Sequence, residues 1–283
     1  MGIIQNIELL RFAYESDLLR IINAQLGPAS AKLERERTKN LFDIRRKELL
    51  GDAVHITPDL MPETYEVYQS CLDMLGGGLS GDLFVQQSQE YNASIFAHHK
   101  KFDLLVHSSL LRDFSEDELR FVFGHELGHV IFEHSRFSVH DILSNTEGIS
   151  ADTANLMFRW SRAAEVSADR VGLFCCGKLD IAVTALFRTS SGLSGIDTNR
   201  MLRSFRRQYE ELEKQIMEVS DHLSWLRAHP MMPIRFKALE LAALDILSIK
   251  QANAGFSDKG FRRVDRQIAG ILEAIDVATV PVM

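Results

Sequence analysis

The segment SEDELRFVFGHELGH, residues 115–129, carries a helix start followed by two histidines on one helix face. Ser115 and Glu118 have the spacing of a capping box, in which the serine hydroxyl accepts from a first-turn amide and the glutamate reaches back to the cap. His125 and His129 are four residues apart, so they project from the same side of a helix, one turn apart. The segment therefore predicts a capped helix that directs two imidazoles toward one point.

These histidines and Glu126 form the pattern HExxH, which predicts a metal site. Two imidazoles can hold one metal ion, and Glu126 lies beside their face, positioned to contact a water on the metal rather than the metal itself. A helix with two surface histidines is the alternative interpretation. Gly128 costs about 1 kcal/mol relative to alanine inside a helix. It indicates that something approaches the helix closely there, and packing of a neighbouring helix is the simplest form of such an approach.

Catalytic zinc sites usually have three protein ligands, so a third ligand has to come from elsewhere in the sequence. A metzincin-type site needs glycine at position 132 and histidine at position 135, where Phe132 and Ser135 stand. That type of site is therefore excluded. His134 misses the register by one residue, and we interpret it as a solvated or core histidine.

Glu165 and Asp169 are the better candidates, because they are four residues apart and share a helix face. Glu165 would complete a His, His, Glu ligand set. Asp169 would accept a hydrogen bond from the free ring nitrogen of a ligand histidine, which fixes its tautomer and orientation. The alternative is that both carboxylates pair with Arg162 and Arg159 on an exposed face.

The rest of the chain predicts an α+β fold dominated by helix. Three short strands, at 83–87, 93–97 and 102–107, suggest a small antiparallel sheet that precedes the HExxH helix. The first fifty residues predict helices broken at Gly27-Pro28, with the second from 29 to 50. Further helices are predicted at 63–75, 115–134, 150–176, 180–189, 197–226, 234–250 and 259–278. We expect an N-terminal helical region (1–78), a zinc metallopeptidase core (79–250) and a C-terminal helical tail (251–283).

The composition is that of a globular protein, and it argues against a nucleic-acid-binding, membrane-spanning or disulfide-rich protein. The chain has 283 residues, 46% hydrophobic and 25% charged, as in ordinary globular proteins. Its net charge of −7 and its dispersed Lys and Arg residues predict no nucleic-acid partner. No stretch approaches the roughly 20 apolar residues that span a bilayer. The three cysteines have no CxxC spacing, which argues against a disulfide framework. We therefore expect a soluble, cytoplasmic protein.

In combination, these motifs resemble the gluzincin metallopeptidases, and among them the family of the HtpX-like heat-shock proteases and CAAX prenyl proteases. The resemblance covers about residues 80–245. It rests on HELGH at 125–129, Glu165 followed by Ala168-Asp169, His229-Pro230 with Arg235 six residues after the histidine, and Asn92-Ala93 with an apolar strand ahead of the motif helix. Membrane members of that family carry spanning helices, which this chain lacks, so prenylated substrates are not implied.

The resemblance implies a mainly helical gluzincin-like fold and specific roles for its matched residues. One zinc ion per chain would be bound by His125, His129 and Glu165, with Glu126 as general base. Around this set, the resemblance implies supporting positions for Asp169 and Arg235, oxyanion stabilisation by His229, and substrate binding near Asn92 and Ala93. An edge strand at 92–97 would hold the substrate extended by strand addition.

We therefore expect a zinc-dependent metalloendopeptidase that hydrolyses a peptide or protein substrate. One alternative is a catalytically silent zinc-binding interaction or chaperone module. Glu126 argues against it, because a silent module has no need of a general base. A helical scaffold without metal is the other alternative. The sequence leaves the substrate's identity and the oligomeric state open.

Overall fold

The fold was analysed in a computed structural model, which describes residues 7–76, 78–136, 150–218, 230–252 and 259–277. Its α-helices are α1 (Ala13–Asp52), α2 (Pro62–Leu75), α3 (Ser108–Asp113), α4 (Glu116–Ile131), α5 (Ala151–Cys176), α6 (Leu179–Ser191), α7 (Thr198–Glu218), α8 (Met232–Ala252) and α9 (Lys259–Val277). Its strands are β1 (Val54–Ile56), β2 (Ser80–Gln86), β3 (Ala93–His98) and β4 (Lys101–His107). Short 3₁₀ helices cover Ile7–Leu10 and His134–Arg136. The mainly helical α+β class is therefore confirmed.

The sheet differs from the prediction, because it is mixed rather than antiparallel. Its strand order is β1-β2-β4-β3, and β2 pairs with β4 in parallel over the whole of both strands. The chain reverses at the tight turn between β3 and β4, where His99 has a φ of 54°. Strand β4 thus enters between β2 and β3 and runs in the direction of β2. Strand β1 was not predicted, because its three residues are too few to show an alternating pattern.

Helix α1 continues through Gly27-Pro28, so the predicted break there is wrong. An interior proline costs about 3 kcal/mol. Tertiary contacts on both sides of that point hold the helix together. Leu18 and Ile22, which precede that point in the sequence, are buried. Arg46, which follows it, pairs with Asp82 and Asp103 of the sheet. The other predicted helices form with bounds shifted by a few residues, and positions 219–226 of the predicted helix 197–226 lie outside the described residues.

Three glycines, Gly124 and Gly128 of α4 and Gly172 of α5, let the two helices approach closely next to the ligand histidines. A Cβ atom on Gly128 would lie 3.0 Å from the Cα of Ala168, and one on Gly124 would lie 2.7 Å from the Cβ of Cys175. From the other side, a Cβ atom on Gly172 would lie 2.8 Å from the backbone oxygen of Phe121. The close approach predicted at Gly128 is therefore that of α5. This contact sets the distance between the histidines of α4 and the carboxylates of α5.

The two ends of the described chain pack against α5. Leu18 and Ile22 of α1 share an apolar cluster with Trp160 of α5 and with Ile268 of α9. The three-part division of the chain remains a prediction. Among the described residues, no helix is both long and apolar enough to cross a membrane.

Candidate metal centre

Helices α4 and α5 bring three ligand groups together. His125 and His129 project from α4, and their Nε2 atoms are 3.2 Å apart. The Glu165 carboxylate of α5 faces both rings, with Oε2 3.6 Å from His125 Nε2 and Oε1 3.5 Å from His129 Nε2. Within the described part of the chain, these three residues are the one group of His, Cys, Asp or Glu side chains arranged to hold a metal ion.

The spacing of these atoms fits zinc. In a tetrahedral site with bonds of about 2.0–2.2 Å, neighbouring ligand atoms lie roughly 3.3–3.6 Å apart. The two imidazole nitrogens are 3.2 Å apart, and each lies 3.5–3.6 Å from one oxygen of Glu165, Oε2 for His125 and Oε1 for His129, so the observed separations are close to those edges. Two imidazoles and one carboxylate are also the donor types that zinc accepts. The ligand set therefore suits a tetrahedral zinc ion with one corner left for water or substrate.

Asp169 and Arg235 support the His125 side of the site. His125 Nδ1 lies 3.0 Å from Asp169 Oδ1. The guanidinium of Arg235, on α8, donates to both oxygens of Asp169, from Nε at 2.8 Å and from Nη2 at 2.5 Å. Arg235 also lies 3.4 Å from Glu165 Oε2. Glu165 and Asp169 are both buried, which rules out the alternative of an exposed face.

Burial, neighbouring charges and hydrogen bonds shift the pKa values of Asp169, His125 and His129. Burial favours the neutral form of Asp169, but the charge and hydrogen bonds of Arg235 and the hydrogen bond of His125 outweigh it and lower the carboxyl pKa. Burial also lowers the pKa of His125, yet the hydrogen bond to Asp169 and the charge of Glu165 raise it above its usual value. Burial dominates at His129, where the pKa falls well below its usual value. His129 is thus a neutral imidazole, the form that binds metal.

The His129 side is supported by residues that the sequence analysis did not select. His129 Nδ1 lies 2.8 Å from His134 Nδ1, and His134 Nε2 lies 3.4 Å from Glu15 Oε1 of α1. His134 is buried, as a core histidine would be. Arg11 donates to Glu15 Oε1 from Nη2 at 2.8 Å. A signal for Glu15 did exist, because on a helix it shares the face of Leu18 and Ile22 and so places a carboxylate on a buried stripe.

The ligands open onto a cleft of about 960 Å³. Glu126 lines it, half-buried beside the ligand histidines. Burial lowers the pKa of the Arg235 guanidinium, but the charges of Asp169, Glu165 and, least of the three, Glu126 raise it. Asn92 and Ala93 line the same cleft, at the start of β3. The structure thus brings all the selected site residues together except His229, which lies outside the described residues. Its neighbour Pro230 lines the cleft.

Comparison with known proteins gives two matches. The model of peptidase family M48 matches residues 69–243. The chain is also similar to the plastoglobule-localized metallopeptidase 48, chloroplastic, of Arabidopsis thaliana, with 25% identity over 211 residues. That alignment covers 68% of this chain and 60% of the relative, so the chain spans less than two thirds of the relative's length. No solved structure matches.

Proposed function

Because this chain belongs to peptidase family M48, a family of metallopeptidases, we propose that it is a zinc-dependent metalloendopeptidase acting on a peptide or protein substrate. The proposal includes one zinc ion per chain, held by His125, His129 and Glu165. One observation carries it: two imidazole nitrogens and the carboxylate that faces both of them, from two helices, stand close to the separations of a tetrahedral zinc site.

Bound zinc supplies a Lewis acid that polarises a substrate carbonyl and brings the pKa of water to about 7. Glu126 is the group beside the ligands that takes the proton of the attacking water on its carboxylate. The same carboxylate then delivers that proton to the leaving amine. Its place at the wall of the cleft, near the ligands rather than among them, supports this role.

Asp169 and Arg235 orient the ligands toward the position of the zinc ion. When Asp169 accepts from Nδ1 of His125, the Nε2 lone pair of that ring faces Glu165 and His129. Arg235 holds both carboxylates by charge and fixes the orientation of Asp169 through two hydrogen bonds. The ligands are therefore oriented before the metal binds, which supports a preorganised site.

Substrate binding is proposed along β3, beginning at Asn92 and Ala93. Strand β3 is an edge strand of the described sheet, and its first residues line the cleft. A peptide laid beside this edge would bind through main-chain hydrogen bonds. A substrate analogue should protect the amides of 92–97 from hydrogen exchange. Unchanged exchange with the analogue bound would refute this placement.

Stabilisation of the oxyanion by His229 stays a prediction, supported by the family pattern and by Pro230 in the cleft. We place the catalytic core at 79–250, between an N-terminal helical region (1–78) and a C-terminal helical tail (251–283).

A cytoplasmic location is supported by three buried, free cysteines, which suit a reducing compartment. The name of the Arabidopsis relative places that protein in chloroplast plastoglobules, so cell fractionation has to decide between compartments.

A paired zinc and cleavage assay tests the function. The native chain should contain one equivalent of zinc and cleave members of a peptide library, whereas Glu126→Gln should keep the zinc and lose turnover. Glu116→Gln, an exposed change on the same helix, is the matched control and should leave both zinc content and cleavage unchanged. A chain without stoichiometric zinc would refute the metal site. Equal cleavage by the native chain and Glu126→Gln would refute the assigned base, and zinc binding without cleavage would favour a silent module.

A further inference from the structure

The two ligand histidines are supported in different ways. His125 reaches an Asp–Arg pair directly, through Asp169 and Arg235. His129 reaches a Glu–Arg pair through one intervening ring, that of His134. The second pair, Glu15 with Arg11, lies at the N-terminal end of the described chain and outside the family match of residues 69–243. The metal centre therefore has a supporting group that the family match does not include.

The chain of polar contacts from His129 to Glu15 has a defined direction. A metal on Nε2 leaves the proton of a neutral His129 ring on Nδ1, which faces His134 Nδ1 at 2.8 Å. His134 then has to accept at Nδ1, so its own proton lies on Nε2, a buried atom without a hydrogen-bond partner that faces Glu15 Oε1 at the 3.4 Å of an ion-pair contact. Each ring thus carries its proton toward Glu15. This arrangement is the same kind of support that a carboxylate gives to a metal-bound histidine directly.

Glu15 and His134 are both fixed in place. The Glu15 side chain is fully buried, and its Oε2 accepts from the Ser167 hydroxyl of α5 at 2.6 Å. The same hydroxyl accepts from the backbone N–H of Phe12 at 3.0 Å, so it ties the start of α1 to the helix that carries Glu165. His134 packs edge-on against Trp160, with ring centroids 5.8 Å apart. A buried carboxylate held in this way cannot turn to another partner without breaking several hydrogen bonds.

We propose that His134 and Glu15 are positioning residues that orient His129 toward the metal, so that the N-terminal helix α1 completes the metal centre. The inference rests on the proposed metal site. Loss of a group that orients a ligand histidine typically costs about 10- to 100-fold in metal affinity. We expect a loss of that size in the 283-residue chain for His134→Leu, and a smaller loss for Glu15→Gln, which keeps the shape of the side chain but removes its charge.

The test measures zinc affinity by competition with a chromogenic chelator, alongside thermal unfolding of the metal-free proteins. His134→Asn is the rescue variant, because its Oδ1 can accept from His129 Nδ1 where the imidazole did, and it should recover most of the affinity lost in His134→Leu. In the His134→Asn background, Glu15→Gln should have no further effect, because the ring that links the two is absent.

Asp265→Asn is the matched structural control. Asp265 of α9 accepts from the backbone N–H of Ala13 and pairs with Arg170 of α5, so it also secures α1 but does not contact His134. It should lower the unfolding temperature and leave zinc affinity unchanged. If all variants lose affinity only in proportion to their stability, or if Glu15→Gln weakens zinc equally with and without His134, the positioning role is wrong. Failure of the native chain to bind zinc would instead refute the proposed function.

Discussion

Replacing Gly172 with alanine tests how the contact between α4 and α5 sets the metal site. The added Cβ would lie 2.8 Å from the backbone oxygen of Phe121 and 2.9 Å from its ring, whereas ordinary contacts begin at 3.4 Å. A backbone oxygen cannot rotate away, so the two helices have to separate by several tenths of an ångström. Phe121 lies one helical turn before His125, and the separation therefore moves the ligand histidines away from Glu165.

Two contributions of opposite sign determine how Gly172→Ala changes the free energy of unfolding. Overpacking a tight contact costs about 1–3 kcal/mol. Alanine is a better helix former than glycine by about 1 kcal/mol, which offsets part of that cost. The free energy of unfolding of the metal-free protein should therefore fall by roughly 0–2 kcal/mol. Zinc affinity should also fall, by roughly tenfold as when a support of a ligand is lost, because a metal site has to be held within about 0.5 Å of its productive geometry.

Urea denaturation and chelator competition measure the two quantities. Gly270→Ala is the matched control, since Gly270 is a glycine of α9 and an added Cβ there would meet nothing within 4 Å beyond its chain neighbours and its own helix backbone. It should stabilise the protein by about 1 kcal/mol without changing zinc affinity. If Gly172→Ala behaved like Gly270→Ala in both assays, the close helix contact would not control the site.

Substitutions at Asp169, Glu15 and Ser115 test three other contacts of the metal site and of the helices that support it. Asp169→Asn removes the charge that faces His125 and Arg235, so zinc affinity should drop about 10- to 100-fold in the chelator assay; an unchanged value would refute this support. Burial raises the pKa of Glu15, but His134 and Arg11 lower it from 4.5 to about 2. Its contribution to stability is present above pH 4.5 and is lost as pH falls toward 2, so Glu15→Gln should unfold in urea with a flatter dependence on pH in that range. Ser115→Ala removes the observed capping box and should lower the unfolding free energy by about 1 kcal/mol; no change would mean that the cap is redundant.

The metal ligands were predictable because their signal is local or periodic. His125 and His129 share a face by spacing alone, and Glu165 and Asp169 share one on a second helix. Gly128 marked the close approach that joins these faces. Their meeting could not be derived from the periodicity of either helix, and it came from the resemblance to a family. The observed geometry is consistent with that expectation, while the roles of the individual residues stay proposals.

The remaining features depend on contacts between residues that are far apart in the sequence. Glu15 and His134 are 119 positions apart, and no local pattern relates them. The parallel pairing of β2 with β4 depends on where β3 lies, which three short strands do not specify. The continuity of α1 through Pro28 depends on packing at both of its ends, which overrides a strong local signal.

Anomalous diffraction at the zinc absorption edge, from crystals of the 283-residue chain grown with zinc, shows whether a zinc ion occupies the site between α4 and α5. We expect one strong peak per chain, at about 2.0–2.2 Å from Nε2 of His125, Nε2 of His129 and a carboxylate oxygen of Glu165. A peak bound by other side chains, or no peak between α4 and α5, would contradict this expectation.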